Sequence, residues 1–130
     1  MANPEPSRIQ TPEGYESFIP SDEERERRCA CTLYAAVSFS GNLVRGLGAV
    51  SSQAVQAPGY YFVTFDRDVS ECAYVATIAS FDEFLPTPGE ITVTSTAPTG
   101  FPEGVFVTTH RSNGPAEPKN FFLAVHCKPA

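Results

Sequence analysis

Short apolar segments with alternating side chains recur along most of this chain, and Pro- or Gly-containing turns separate them. The clearest is Tyr60–Phe65, followed by Ile91–Thr96 with its strict exchange of aliphatic and Thr side chains. A period of two residues is typical of a half-buried β-strand. The twelve Pro and nine Gly interrupt the chain too often for long helices. The sequence therefore predicts an all-β protein.

Seven strands are expected, and they fit one domain of residues 29–130 folded as an antiparallel β-sandwich or jelly roll. The expected strands are Thr32–Phe39, Leu43–Ser51, Tyr60–Phe65, Cys72–Ser80, Ile91–Thr96, Val105–Thr109 and Phe121–Cys127. Gly46 and Gly48 within the second strand indicate a bulge or a close backbone approach. Cys72–Ser80 is apolar on both faces, so we expect it at the centre of a sheet.

Alternation also assigns the two faces of each strand. The side chains expected to face the interior are Tyr61, Val63, Phe65, Val105, Val107, Phe121, Leu123, Val125 and Cys127. The opposite faces then carry Phe62, Phe106, Phe122 and His126. Three outward Phe indicate a surface that is covered, either by a partner or by a second layer of the same domain.

Residues 1–28 have a different composition and are interpreted as a polar, extended arm. They contain seven acidic residues, four Arg and four Pro, with one apolar group formed by Tyr15, Phe18 and Ile19. Ser21 followed by Glu24 resembles a capping box, which allows a short helix at 21–28. The arm is either a disordered tail or a segment that becomes ordered by docking on a neighbouring subunit or partner.

Charge and hydropathy argue against several classes of partner. The net charge is −6, and the few Lys and Arg after residue 28 form no basic stripe, so neither nucleic acid nor an anionic membrane is expected. No apolar run approaches the length of a membrane span. The N-terminus lacks the pattern of a signal peptide. We therefore expect synthesis in the cytoplasm, with the protein either staying there or leaving on an assembled particle.

Five segments carry a resemblance that covers about three-quarters of the chain, from Leu33 to Cys127. They are Leu43–Gly46 with Gly48, Gly59–Val69, Cys72–Thr77, Gly104–Thr109 and Phe121–Cys127. In these segments the chain resembles a domain at the C-terminus of many actinobacterial secreted or hypothetical proteins and phage-related proteins. The resemblance implies a compact β domain acting as a terminal head or adhesion module. The order of elements is also similar to trimeric jelly-roll heads of the complement and tumour-necrosis-factor type, a likeness of fold only.

The chain departs from that family in two ways. Family members tend to have polar residues at the positions of Phe62 and Phe122, and they usually follow a signal peptide and a longer stalk. Here a short charged arm replaces both. The first departure supports a covered outer face, and the second argues against simple secretion.

The resemblance also implies a disulfide between Cys72 and Cys127, because these two are the recurrent pair in the family. Spacing alone leaves all three pairings of the four Cys open. Cys29 and Cys31 lie at the junction of arm and domain. They are either intersubunit thiols that form disulfides, free thiols, or metal ligands.

No catalytic set is recognisable. A hydrolytic triad needs a nucleophile, a base and an orienting acid. The two His, His110 and His126, are not accompanied by a Gly-x-Ser-x-Gly motif that would supply the nucleophile. Asp66, Asp68 and Ser70 could offer oxygens to calcium, but Asp at a turn commonly caps its own backbone. We therefore expect a protein that is not an enzyme, with no cofactor and no metal.

The function expected first is a structural or assembly protein at the surface of a virion or extracellular particle, such as a head, decoration or fibre-like component. It would self-associate into a symmetric oligomer such as a trimer, and its arm would attach it to the larger particle. The expected interface residues are Tyr15, Phe18, Ile19, Phe62, Phe106 and Phe122. The alternative is a module that binds carbohydrate or a cell surface through loops bearing Phe81, Phe84 and Phe101.

Overall fold

Eight antiparallel strands form two four-stranded sheets that pack face to face in the computed structural model. The structure describes residues 32–81 and 85–129, and all strands lie in the compact unit Cys31–Lys128. The strands are β1 (Thr32–Val37), β2 (Leu43–Leu47), β3 (Ala49–Ala54), β4 (Tyr60–Phe65), β5 (Ala73–Ile78), β6 (Glu90–Ser95), β7 (Gly104–His110) and β8 (Phe121–His126). The predicted all-β sandwich is confirmed. The arm predicted for residues 1–28 and the short helix that the capping box allows at 21–28 lie outside the described residues.

The two sheets are called sheet A and sheet B. Sheet A has the strand order β2-β1-β8-β5, and sheet B has the order β3-β4-β7-β6. In sheet A the first and last strands pair along their whole length, from Thr32 opposite His126 to Val37 opposite Phe121. A contact between the ends of the domain therefore fixes the centre of this sheet.

Most of the interior is filled by the side chains that alternation assigns to it, and Ala35, Val37 and Val69 complete it. The core cluster consists of Ala35, Val37, Tyr61, Val63, Phe65, Val69, Val105, Val107, Phe121, Leu123 and Val125, each at most 1% exposed. Burying a Val, Leu or Phe side chain contributes roughly 1.5–3 kcal/mol to the stability of the fold. The predicted interior positions are thus confirmed, with Cys127 packed at the margin of the cluster.

The predicted strand Leu43–Ser51 is wrong as a single element, because the chain changes sheet at Gly48. β2 pairs with β1 in sheet A, whereas β3 pairs with β4 in sheet B. Gly48 makes the corner with φ +79°, a conformation that favours glycine. The close approach expected at Gly46 is present, since a Cβ there would lie 2.6 Å from the carbonyl oxygen of Tyr34.

The central position predicted for Cys72–Ser80 is also wrong. Its strand, β5, is an edge strand that pairs only with β8. The two central positions of sheet A are occupied by β1 and β8, although the apolar composition of β5 predicted a central position for β5. One edge of β5 therefore has no paired strand in sheet A, and on its outer face Val75 is 59% exposed.

Two buried polar groups, the Tyr61 hydroxyl and the Lys119 ammonium, join three loops at one end of the sandwich. The Tyr61 hydroxyl donates to the carbonyl oxygen of Phe39 at 2.8 Å and accepts from the Lys119 backbone N–H at 3.3 Å. Burial of this hydroxyl raises the pKa of Tyr61 above its usual value. The Lys119 ammonium is itself buried and donates to Thr87 Oγ1 at 2.6 Å and to Glu117 Oε2 at 3.2 Å.

Candidate interaction surfaces

A disulfide joins Cys72 and Cys127, the two residues for which the sequence analysis predicted one. Cys72 and Cys127 are bonded, with their Cα atoms 4.4 Å apart and 55 positions separating them in sequence. The bond joins the start of edge strand β5 to the end of central strand β8. The pairing predicted for these two residues is confirmed, and Cys29 and Cys31 lie outside the described residues.

The outer face of sheet A carries a row of apolar side chains that crosses all four strands. Tyr34, Ala124 and Val75 are successive cross-strand partners on β1, β8 and β5. Leu47 extends the row on β2, because it follows the Gly46 that pairs with Ala35. Leu47 and Val75 are each 59% exposed. These four residues are called the apolar row.

Beside the apolar row, Arg45 lies against two aromatic rings. Its guanidinium carbon is 5.7 Å from the ring centroid of Phe81 and 5.6 Å from that of Phe122. The two rings meet edge to face at 5.3 Å. Among the described residues, Arg45 has no carboxylate partner. Phe122 therefore faces outward, as alternation predicts, but a loop residue of the same domain covers part of it.

The outer face of sheet B carries a second aromatic group. Phe62 and Phe106 are direct cross-strand partners on β4 and β7. Phe101, from the loop before β7, meets Phe62 edge to face at 6.0 Å, and Tyr60 meets Phe106 at 5.8 Å. Phe62, Phe101 and Phe106 line a groove with a volume of about 420 Å³.

The predicted interface residues thus fall into separate groups. Phe62 and Phe106 lie together on sheet B, whereas Phe122 lies on the outer face of sheet A. Tyr15, Phe18 and Ile19 belong to the part of the chain that is not described. The Phe residues predicted to form one interface therefore cannot share a single flat surface within one molecule.

The predicted ligand loops are divided in the same way. Phe81 packs on Phe122 of sheet A and Phe101 packs on Phe62 of sheet B, while Phe84 lies outside the described residues. Phe81 and Phe101 therefore do not line one shallow site. Each instead belongs to the aromatic group on its own sheet.

The two His occupy ordinary strand positions. His110 Nε2 lies 2.9 Å from Thr108 Oγ1, which in turn lies 2.5 Å from Thr92 Oγ1. His110 Nδ1 donates to the Gly114 carbonyl oxygen at 3.0 Å when it carries the proton. His126 is exposed and lies 3.3 Å from Thr32 Oγ1. When His110 Nδ1 carries the proton, the Gly114 carbonyl orients the ring. A carbonyl oxygen therefore stands where the carboxylate of a hydrolytic triad would orient the His.

The Asp66–Ser70 turn satisfies its own oxygens. Asp68 Oδ1 accepts from the backbone N–H of Ser70 at 2.8 Å and from its hydroxyl at 2.6 Å. These two hydrogen bonds hold the pKa of Asp68 below its usual value. The turn therefore has the geometry of an Asp that caps its own backbone, which was the alternative to a calcium site. Within residues 32–81 and 85–129, no three His, Cys, Asp or Glu side chains are grouped as a metal site would require.

No protein-family model, curated protein or solved structure matches this chain. The likeness to actinobacterial head domains therefore stays a prediction. Over the described residues, no helix is long and apolar enough to cross a membrane.

Proposed function

We propose that this domain is a non-enzymatic assembly protein whose sheet A packs on further copies of itself in a symmetric oligomer, such as a trimer. In this proposal it is a head, decoration or fibre-like component at the surface of a virion or other extracellular particle. The apolar row is the observation that carries the proposal. Isolated exposed aliphatic residues are common, but a continuous row across a whole sheet marks an interaction surface.

The charge distribution supports self-association through this sheet in particular. The chain contains fifteen Asp and Glu, so most surfaces of two copies would repel each other. None of them lies in the four strands of sheet A, where Arg45 is the one residue among Asp, Glu, Lys and Arg. The strands of two A sheets can therefore meet without any carboxylate of one strand standing opposite a carboxylate of another.

The arm, residues 1–28, is proposed as the attachment to the larger particle. Its apolar group, Tyr15, Phe18 and Ile19, would provide the buried contacts. Cys29 and Cys31 would then stand near the point of attachment, where intersubunit disulfides could form in an oxidising environment. This part of the proposal rests on the composition of the segment.

Sedimentation velocity of the full chain tests the proposed interface. We expect a mass that is a multiple of 14.0 kDa, with dissociation when Val75 is replaced by Asp. Val75→Asp places a carboxylate in the apolar row at an edge-strand position that is 59% exposed. The substitution should therefore break the interface without entering the core.

Val50→Asp is the matched control, because Val50 is 60% exposed and lies on β3, one of the two edge strands of the other sheet. Thermal unfolding of both variants checks that the domain still folds. The proposal is supported if Val75→Asp sediments as a monomer while Val50→Asp keeps the wild-type mass. It is overturned if the wild type is a monomer at about 100 μM, a concentration at which even micromolar contacts associate.

A further inference from the structure

The groove on sheet B has an aromatic floor that points away from the core. Phe62 and Phe106 are half-buried in the sheet, while Phe101 is 57% exposed at one side. The Phe62 ring lies against Gly104, where an added Cβ would come within 2.6 Å of the Phe62 Cε1 atom. The absence of a side chain at Gly104 therefore lets this ring lie low and deepens the groove.

The wall of the groove offers hydrogen-bonding groups that the domain does not use. Gln56 and Thr94 line it, and their side chains have no partner among the described residues. Thr96 and Thr99 donate to backbone oxygens of their own loop, and Ser95 accepts from Ala97 N. Two free polar side chains thus stand beside an aromatic floor.

Gln56 is also held in an unusual backbone conformation. Its φ is +56°, and it is the one described residue other than glycine with a positive φ. For a residue with a Cβ this conformation costs roughly 1–2 kcal/mol. Such strain is retained where the surrounding structure or a function requires it, and Gln56 is also one of the residues that line the groove.

We propose that this groove binds a neutral sugar ring. None of its lining residues, all of which are described, is charged, so no side chain of the groove can form an ion pair with a charged ligand. A volume of about 420 Å³ lies within the range of small-molecule sites and can hold one or two hexose rings. A sugar combines an apolar C–H face, suited to the negative face of a Phe ring, with hydroxyls at its edge.

The free groups of the wall match sugar hydroxyls in kind. An amide and a Thr hydroxyl each both donate and accept hydrogen bonds, and so does a sugar hydroxyl. A proline-rich peptide would also suit an aromatic groove, but it presents carbonyl acceptors and no backbone donor at Pro. The acceptor capacity of Gln56 and Thr94 therefore favours the sugar. The site lies on the sheet opposite to the proposed oligomer interface, and the two proposals are independent.

Saturation-transfer difference NMR on the full chain tests the site. The probes are methyl β-D-glucopyranoside, methyl β-D-galactopyranoside and methyl α-D-mannopyranoside, each at about 10 mM, where a millimolar Kd is detectable. We expect transfer to the ring protons of at least one probe. Phe101→Ala should raise its Kd at least about tenfold, whereas Phe39→Ala, which removes a Phe of similar exposure elsewhere, should change it less than about twofold.

Gln56→Gly separates binding from folding. Glycine accepts a positive φ, so this variant should unfold at the wild-type temperature or above it while losing the amide. We expect its Kd to rise at least about fivefold with no loss of thermal stability. The proposal is overturned if no probe shows transfer, if Phe101→Ala or Gln56→Gly binds like the wild type, or if a proline-rich peptide binds in the groove and the sugars do not.

Discussion

Arg45 and Phe122 lie on the two strands that flank β1, and the guanidinium carbon of Arg45 is 5.6 Å from the centroid of the Phe122 ring. Ala36 stands between them as the direct partner of both. It is fully buried although it is on the outer face of sheet A. The cation and the ring therefore close over the centre of the sheet, and the apolar row next to them remains open.

A double-mutant cycle should detect this contact. Arg45→Ala and Phe122→Leu together are expected to show a coupling of about 0.5–1 kcal/mol in the free energy of unfolding, the usual strength of a cation–π contact near a surface. Urea denaturation of the four proteins measures it. A control cycle pairs Arg45→Ala with Phe106→Leu on the other sheet, where the coupling should be close to zero. Equal couplings in the two cycles would show that Arg45 does not act through Phe122.

Removal of the disulfide should cost about 4 kcal/mol in the free energy of unfolding, because the bond closes a long loop in the unfolded chain. The measurement is urea denaturation of a Cys29→Ser/Cys31→Ser protein with and without reductant. This background assigns any effect of reduction to Cys72 and Cys127. A difference below about 1 kcal/mol would mean that reduction barely alters the unfolded chain.

A side chain at the Gly48 corner should destabilise the domain. Gly48→Ala adds a Cβ at φ +79°, 2.6 Å from Leu33 Cδ2, and we expect a loss of about 2–4 kcal/mol. Gly100→Ala is the control, since Gly100 has φ +99° and no atom within 4 Å of the added Cβ. It should lose only the conformational part, about 1–2 kcal/mol. The account of the corner fails if chemical denaturation gives both variants the same loss.

Glu117 should make the domain less stable in acid. Hydrogen bonds from Arg111 and then Lys119 hold the pKa of this carboxyl below its usual value of 4.5. A carboxyl with a lowered folded-state pKa stabilises the protein above its unfolded-state pKa, and that contribution is lost as the pH falls through the folded-state pKa.

The check is to follow the urea midpoint from pH 6 down to pH 3. Glu117→Gln should flatten the decline below about pH 4.5, where the unfolded-state carboxyl begins to bind protons. Glu103→Gln is the comparison, because Glu103 makes no ion pair within the described ranges. An acid decline that is as steep in Glu117→Gln as in the wild type would exclude this carboxyl as its source.

The core residues could be predicted from the sequence because alternation is a local pattern within each strand. Alternation in Tyr60–Phe65 and Phe121–Cys127 states which side chains share a face, and burial of one face follows. It could not place β5, because its apolar composition does not say that β1 occupies the other side of β8. It also did not reveal that the chain changes sheet at Gly48, although two glycines marked the region.

The apolar row was missed for a related reason. Tyr34, Leu47, Val75 and Ala124 come from four strands, and only the register brings them into line. The outward parity of Tyr34 and Val75 was the available signal. Likewise, alternation placed Phe62 and Phe122 on outer faces, but the loop residues that cover them, Phe101 and Phe81, depend on loop conformations that no periodicity encodes.

The central claim is that the apolar row of one molecule contacts sheet A of another. Isotope-filtered NOE spectroscopy on a mixture of ¹³C-labelled and unlabelled full chains tests it most directly. We predict intermolecular NOEs from the Val75 methyl groups to residues of sheet A, with Tyr34 and Leu47 among them. Intermolecular NOEs confined to sheet B residues such as Thr94, or none from Val75 in a sample that sediments as an oligomer, would contradict the claim.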